Sequence, residues 1–248
     1  MNPLCSLPSL VGACAIFTAS VISGLTGMGF ALISVPILIL FLPPRSVVPL
    51  ILLLSGISNL LVVLKTRKWL EPGRFLPLLV TGVIGATLGT KLLVLVDTHS
   101  MTMAIGLVSV LSSLGLLLGL GRPVRREQLG LACTGLLSGM LGGSTSMSGP
   151  PVILFLANQA VEKQVLRANI TLYFVVLSVS ALPSQIASNL IGEHLVTYAV
   201  VLLPVLTLGT LLGIKLSAKV EEEAFRKVVL SVVTVAGVTA IASGLQVL

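Results

Sequence analysis

Long stretches without any Asp, Glu, Lys or Arg divide this chain of 248 residues, and they constrain its fold more than any other feature. Only 9% of the residues are charged, whereas soluble domains carry about 25%. About 20 apolar residues cross a bilayer as a helix, and most of the stretches reach that length. The sequence therefore predicts an all-α polytopic membrane protein and excludes a water-soluble monomer. The uncharged stretches are residues 1–44, 46–64, 75–90, 100–121, 128–161, 168–192, 195–214 and 228–248.

The chain also contains an internal repeat, which appears as two motifs in the same order in each half. The pattern S-G-x-x-G-x8-P occupies residues 23–36 and returns at 138–151, at an offset of 115. Later in each half, the pattern G-x-x-x-G-x-K-L occupies residues 85–92 and 209–216, at an offset of 124. These matches predict a transmembrane repeat at 1–121, a basic linker at 122–126 and a second transmembrane repeat at 127–248.

Each predicted repeat holds four apolar blocks, and the first block is too long for one span. Gly, Ser and Pro interrupt that block midway, so we expect two short helices that meet at a broken, glycine-rich turn. With three further spans in each half, the chain would have about 8 to 10 membrane segments. The blocks are residues 9–42, 46–64, 75–96 and 100–121, then 128–157, 168–190, 195–216 and 228–248.

The basic loops predict how the two repeats are oriented in the membrane. Basic residues concentrate in loop 65–74, the linker 122–126, and loops 162–167 and 217–227. Loops rich in Lys and Arg face the cytoplasm. All four can do so only if the first block of the second repeat turns back on itself. Each repeat then crosses the membrane an odd number of times, so the sequence favours two inverted repeats with re-entrant first blocks.

Inverted repeats commonly bind substrate where broken helices meet near the bilayer midplane. The second break carries a tract of hydroxyl groups at 143–149, and helix starts, hydroxyls and nearby cations suit an oxyanion. Close helix packing by small residues is the alternative role for the glycines. Lys91 and Lys215 are candidates for a charge or gating role, with extension of the lysines to the headgroups as the alternative. The predicted substrate-binding residues are Gly27, Met28, Gly29, Gly142, Gly143, Ser144, Thr145, Ser146, Ser148, Arg167 and Asn169.

All eight acidic residues fall in loops or at block ends. Proton relays and many cation sites use carboxylates inside the membrane, so a cation transporter is disfavoured. Neither a metal-ligand cluster nor a nucleophile with an activating base is evident, which predicts a non-enzyme without metal or cofactor. Ser58 and Asn59 lie within an apolar block and are weaker candidates for contact with the anion, with interhelical hydrogen bonds as the favoured role.

The two S-G-x-x-G-x8-P motifs and the two G-x-x-x-G motifs resemble those of the TauE/SafE family of membrane transporters. The resemblance covers essentially the whole chain and its two-half organisation. It implies transport of sulfur-containing anions, such as sulfite and sulfonates, across the bacterial cytoplasmic membrane, often outward. Residues 27–29 depart from the glycine run common in relatives, as do residues 144–146 of the second copy.

Together these observations predict a multi-pass secondary transporter of the bacterial inner membrane. It would export a small sulfur-containing anion, sulfite or an organosulfonate such as sulfoacetate, by alternating access. The expected partners are the anion and the lipid bilayer, with no nucleic acid, and a homodimer stays open. A passive anion channel, an intramembrane lipid-phosphate enzyme and a membrane subunit that needs a soluble partner are the alternatives.

Overall fold

A computed structural model describes residues 7–118, 126–159, 161–217, 233–235 and 237–242, and within these ranges all regular secondary structure is helical. Residues 233–235 and 237–242 are helical as well, and Gly237 packs against Gly106. The predicted linker, apart from Arg126, and most of loop 217–227 lie outside the described residues. The main helices are α1 (Leu7–Thr26), α2 (Phe30–Leu38), α3 (Pro44–Thr66), α4 (Leu76–Leu95), α5 (Thr98–Leu118), α6 (Glu127–Thr145), α7 (Gly149–Asn158), α8 (Lys163–Ala187) and α9 (Glu193–Leu216).

Helix length and composition support a multi-pass membrane protein. In the described part of the chain, α3, α4, α5, α8 and α9 are each long and apolar enough to cross a bilayer. Their outward faces carry exposed large apolar side chains, such as Leu95, Leu118 and Leu208. An apolar outer face of this kind suits contact with lipid. The all-helical fold class is therefore confirmed in its coarse form, while the number of membrane segments stays a prediction.

The first block of each half is broken at the turn that the glycines and hydroxyl residues predict. Gly27 and Gly29 adopt φ angles of 79° and 95°, which side chains rarely allow. Ser146 takes the matching left-handed conformation in the second half, with φ 60°. Thr26 Oγ1 accepts the N–H of Met28 at 3.1 Å, and the second half forms the same bond between Thr145 and Met147. Backbone conformation thus ends α1 and α6 at equivalent turns.

Beyond each turn the chain runs back along the helix that precedes it. Near the start of α1, Gly12 lies against Leu38 at the end of α2. In the second half, Gly130 near the start of α6 lies against Phe155 of α7. The pairs α1–α2 and α6–α7 are therefore helical hairpins, and we call the turns at 27–29 and 146–148 tip 1 and tip 2.

The glycine motifs of the two halves pack against each other across the halves. In α4, Gly85 lies against Gly139 of α6, so close that an added Cβ would meet backbone atoms of α6. Gly213 of α9 lies in the same way against Gly24 of α1. Small residues allow helix backbones to approach closely, which supplies van der Waals contact inside a membrane. The most extensive helix contacts, α4–α6 and α1–α9, thus join one half to the other.

Contacts of these glycines correct the register of the repeat. Gly24 lies against Thr210, and Gly143 lies against Ala86. Thr210 and Ala86 are themselves equivalent at the offset of 124, so Gly24 corresponds to Gly143 at an offset of 119. The offset of 115 from the S-G-x-x-G-x8-P pattern is therefore one helical turn short. Small residues recur once per turn on this face, so the sequence pattern matches equally well one turn away.

The loops that carry basic residues gather at one end of the bundle, which we call the basic end. Arg74 Nη2 forms an ion pair with Glu127 Oε1 at 2.7 Å, joining loop 67–75 to the start of α6. Asn169 Oδ1 accepts the N–H of Glu71 at 3.0 Å, which brings the start of α8 to the same loop. Lys65 lies in the last turn of α3, directly before loop 67–75. The other basic residues of these segments are Arg67, Lys68, Arg74, Arg126, Lys163 and Arg167.

The opposite end holds the connections between α2 and α3, α4 and α5, and α8 and α9. Among the residues that the structure describes, this end has fewer charged groups than the basic end. Here Arg45 Nη2 donates to the carbonyl oxygen of Val94 at 2.6 Å. Asp97 precedes α5 and accepts the N–H of Ser100 at 2.9 Å. Hydrogen bonds from the Ser100 hydroxyl and N–H lower the pKa of the Asp97 carboxyl. Charge is thus distributed asymmetrically between the two ends, as in membrane proteins with a cytoplasmic basic side.

Candidate functional site

A cavity of about 600 Å³ lies between the two tips and is lined by both of them. A cavity of this size can hold a small molecule. Irregular backbone is tolerated at membrane depth where it lines such a cavity or is buried in protein. Its lining includes Thr26, Met28, Gly29, Phe30 and Ala31 around tip 1, Ser146, Met147, Ser148, Gly149 and Pro150 around tip 2, Ser55 and Asn59 of α3, Leu116 and Leu117 of α5, and Val161, Lys163, Leu166 and Phe174 in and before α8.

The cavity extends from the middle of the bundle to the basic end. Ser55 and Asn59 lie near the middle of α3. Leu117 comes from the last turn of α5, and Lys163 from the first turn of α8, which are both at the basic end. The cavity lining thus includes a cation on the side where the basic loops gather.

The N-terminus of α2 contributes backbone N–H groups that could bind an anion in the cavity. Its first residues, Phe30 and Ala31, line the cavity, and Gly29 provides no side-chain cap. The first N–H groups of a helix lack partners within the helix, and the dipole makes this end positive. The start of α7 is poorer, because Pro150 and Pro151 have no N–H. The two tips therefore differ in their capacity to bind an anion.

Four of the predicted site residues line the cavity: Met28 and Gly29 at tip 1, and Ser146 and Ser148 at tip 2. The Ser146 hydroxyl donates to the carbonyl oxygen of Val48 at 2.7 Å, which anchors tip 2 on α3. Tip 2 is braced from its other side by Ser138, whose hydroxyl donates to the carbonyl oxygen of Ser148.

Ser144 and Thr145 of the predicted hydroxyl tract do not line the cavity. Their hydroxyls donate to carbonyl oxygens one turn earlier in α6, each at 2.7 Å. Hydroxyl groups commonly bond back to their own helix in this way when no other partner is within reach. Among the predicted glycines, Gly143 packs on α4, and Gly142 lies against Ser148 and Leu177.

Arg167 and Asn169 lie behind tip 1 and at the basic end. The Arg167 guanidinium donates to the carbonyl oxygen of Gly24, and its side chain fills the space beside Gly27. Asn169 donates to the carbonyl oxygens of Trp69 and Val165, in addition to accepting the N–H of Glu71. Both side chains thus join α8 to other parts of the bundle.

Lys91 and Lys215 are exposed on the outer surface near helix ends, away from the cavity lining. Long basic side chains in such positions reach the headgroup layer from a span. Ser58 forms the expected interhelical bonds, to Ser23 at 3.3 Å and Thr210 at 2.9 Å. The expectation for Asn59 is wrong, because its side chain bonds within α3.

Sequence reasoning missed Ser55 and Lys163 as cavity residues and assigned Asn59 another role. In the sequence, Lys163 is indistinguishable from other basic loop residues. Ser55 and Asn59 share an apolar block with several other polar residues, so neither stands out. Their spacing of four, which places them on one helix face, is a signal that could have found them. In the described part of the chain, no three His, Cys, Asp or Glu side chains are grouped as metal ligands.

A helical bundle with two broken hairpins around an internal cavity defines a polytopic protein of the membrane-transporter class. The chain belongs to the TauE/SafE family, because residues 12–240 match the family described as Sulfite exporter TauE/SafE. The resemblance found in the glycine motifs is therefore confirmed over nearly the whole chain. Searches of curated proteins and of solved structures found no match.

Proposed function

We propose that this chain is a secondary transporter that exports a small sulfur-containing oxyanion, sulfite or an organosulfonate, across the bacterial cytoplasmic membrane. The observation that carries the proposal is the cavity between the two tips, which combines the N-terminus of α2 with Lys163. Family membership supports a transporter of such anions. The apolar bundle around the cavity suits a small anion that is recognised by N–H groups and a cation rather than by carboxylates.

Recognition would begin at the basic end, where Lys163 attracts the anion into the cavity. The sulfonyl oxygens would then accept N–H groups from the first turn of α2, beside Met28 and Gly29. Ser146 and Ser148 would close the other side of the site. These four lining residues are the part of the predicted site that we retain in the proposal.

Electrical driving force favours export over import for a free anion. The interior of a bacterial cell is negative, and moving one charge across the membrane is worth about 2.3 kcal/mol per 100 mV. An anion that binds from the basic, cytoplasmic end would therefore leave the cell without a coupling ion. The extension of the cavity toward the basic end suits a carrier that loads on that side.

Alternating access would follow from the inverted arrangement of the halves. A hairpin that enters and leaves on one side, followed by three spans, reverses the orientation of the second half. Tip 1 would then contact the start of α8, as through Arg167, and tip 2 the start of α3, as through Val48. Rocking of one half against the other would open the site at each end in turn.

Inversion predicts that equivalent residues lie on opposite sides of the membrane. At the offset of 119, Pro43 corresponds to Glu162, since both immediately precede a long helix. In a chain with Cys5, Cys14 and Cys133 replaced, we expect a cysteine at Glu162 to react only with reagent on the cytoplasmic side. A cysteine at Pro43 should react only from outside, as judged by an impermeant maleimide in whole cells and inverted vesicles.

Pro72 provides the control for this labelling, because it lies in the basic loop between α3 and α4. A cysteine there should react from the cytoplasmic side, as at Glu162. If Pro43 and Glu162 were labelled from the same side, the halves would be parallel and the proposed topology would be wrong.

Transport by the purified chain in liposomes is the test of the proposed function. We expect efflux of labelled sulfite to respond to an imposed membrane potential, and sulfate and chloride to be poor substrates. Lys163→Gln should raise the KM for sulfite roughly fivefold, because a cation near a partly hydrated anion contributes about 1 kcal/mol. The matched variant Lys65→Gln, an exposed lysine outside the cavity lining, should leave the KM unchanged.

Counterflow of labelled sulfite against an excess of unlabelled sulfite would distinguish a carrier from a passive channel. A carrier exchanges the two anions through one site, whereas a channel gives no counterflow. Voltage-driven flux without saturation or counterflow would show that the protein is an anion channel and not a carrier. Silence toward sulfite and organosulfonates in folded protein would overturn the proposed substrate class.

A further inference from the structure

Asn59 is a buried polar side chain in the cavity lining whose hydrogen-bonding capacity is only half used. The residue is 1% exposed. Its Nδ2 donates to the carbonyl oxygen of Ser55 at 2.8 Å and to the Ser55 hydroxyl at 3.0 Å. Its Oδ1 has no partner among the described residues. A buried acceptor without a donor is costly, and native proteins rarely keep one without a reason.

The orientation of the Asn59 amide follows from its neighbours. The carbonyl oxygen of Ser55 can only accept, so Nδ2 must face it, and exchanging Oδ1 and Nδ2 would set two acceptors against each other. The unpaired atom of the Asn59 side chain in the cavity wall is therefore the acceptor Oδ1. This differs from the N-terminus of α2 in the same wall, which offers donors.

We propose that Asn59 selects anions that carry a hydrogen-bond donor as well as sulfonyl oxygens. The inference rests on the proposed function and narrows its substrate class. The oxygens of the anion accept N–H groups from the start of α2, while its O–H or N–H donates to Asn59 Oδ1. Hydrogensulfite and sulfonates with a hydroxyl or ammonium group satisfy both requirements. The sulfite and sulfate dianions and sulfoacetate have no such donor.

Discrimination between substrates depends on whether the bound substrate gives Asn59 Oδ1 a hydrogen-bond donor. A substrate without a donor leaves the buried acceptor unsatisfied, whereas a substrate with an O–H or N–H supplies the missing hydrogen bond. A site with a buried polar group therefore rejects an analogue that lacks the matching group more strongly than an apolar site does. One unsatisfied neutral acceptor predicts a preference of roughly tenfold.

Two sulfonates of the same charge and nearly the same shape test this inference. 2-Hydroxyethanesulfonate has a terminal hydroxyl where 1-propanesulfonate has a methyl group. We expect the hydroxyl compound to compete with labelled sulfite efflux from liposomes about tenfold more strongly, compared as inhibition constants. In Asn59→Leu, which removes the acceptor and keeps the branched shape and the number of side-chain heavy atoms, the ratio should fall to within about twofold of unity.

Ser58→Ala is the matched control, because Ser58 is equally buried in the same helix but is not part of the cavity lining. This variant should keep the tenfold preference. Equal competition by the two sulfonates in the unaltered chain would overturn the inference, and so would a preference that survives Asn59→Leu. If Asn59→Leu does not fold, the comparison of the two sulfonates in the unaltered chain still tests the inference.

The proposed function fails in a different way from this inference. If sulfite efflux does not respond to voltage and neither sulfonate competes, the anion transporter itself is wrong, and the role of Asn59 falls with it. If efflux is normal and the two sulfonates compete equally, only the role of Asn59 is wrong.

Discussion

Gly139→Leu is expected to lower the melting temperature of the purified chain by about 2–12 °C and to abolish most transport. A Cβ at this position would meet the carbonyl oxygen of Gly82, and the neighbouring atoms belong to the backbone of α4. Backbone cannot move aside as a side chain can, so α4 and α6 would separate. Overpacking of a core costs about 1–3 kcal/mol, and each kcal/mol lowers the melting temperature by about 2–4 °C for a chain of this length.

Gly73→Leu is the control for that substitution, because nothing lies within 4 Å of an added Cβ in the loop between α3 and α4. Its melting temperature should stay within about 2 °C of the unaltered chain, since surface changes alter stability by at most about 0.5 kcal/mol. A Gly139→Leu variant with unaltered melting temperature and transport would contradict the described contact of α4 with α6. Thermal unfolding followed by tryptophan fluorescence or circular dichroism provides the measurement.

Arg167→Ala is expected to lower both stability and transport by loosening tip 1. The guanidinium donates to the carbonyl oxygen of Gly24, and its side chain packs beside Gly27. Loss of a hydrogen bond to a charged group costs about 1.5–3 kcal/mol, which corresponds to a fall of roughly 3–12 °C in melting temperature. Transport should fall at least tenfold, because the N-terminus of α2 depends on the position of the tip.

The pattern of effects distinguishes an anchoring role of Arg167 from direct binding of the anion. An anchor predicts a lower melting temperature and a lower kcat, with partial rescue by Arg167→Lys, which keeps a donor. Direct binding predicts a raised KM at unchanged melting temperature. Ser58→Ala serves here as a second comparison for the loss of a buried bond between helices. A raised KM without loss of stability would contradict the anchoring role and indicate that Arg167 binds the anion directly.

The fold was largely predictable because its strongest determinants are local. Uncharged apolar blocks predict spans, and glycines with hydroxyl residues predict breaks, since few residues adopt the left-handed backbone of Gly27 and Gly29. Register was not predictable from the same glycines. Small residues spaced four apart let the motif match equally well one helical turn away. The offset of 119 is fixed only by comparing the contact of Gly24 with Thr210 and that of Gly143 with Ala86.

The backbone turns that line the candidate site were predictable from the sequence, whereas the side chains that line it were not. Tips 1 and 2 follow from the broken blocks, and both line the cavity. Whether a hydroxyl faces a cavity or bonds back to its own helix depends on the rotation of that helix, as Ser144 and Ser146 illustrate. Asn59 was misjudged for the same reason, because sequence shows a polar residue in a span but not which neighbour it faces.

The exchange of glycine contacts between the halves also bears on how such a chain could have arisen. The first helix of each hairpin packs on a long helix of the other half, α1 on α9 and α6 on α4. One half alone would therefore leave its glycine faces uncovered. Under the proposed inversion, a half-length ancestor would have needed a second copy of itself, inserted in the opposite orientation, to bury them. Gene duplication and fusion would then have joined the two copies in one polypeptide, after which each half could diverge. The difference between the N-termini of α2 and α7 is what such divergence would produce.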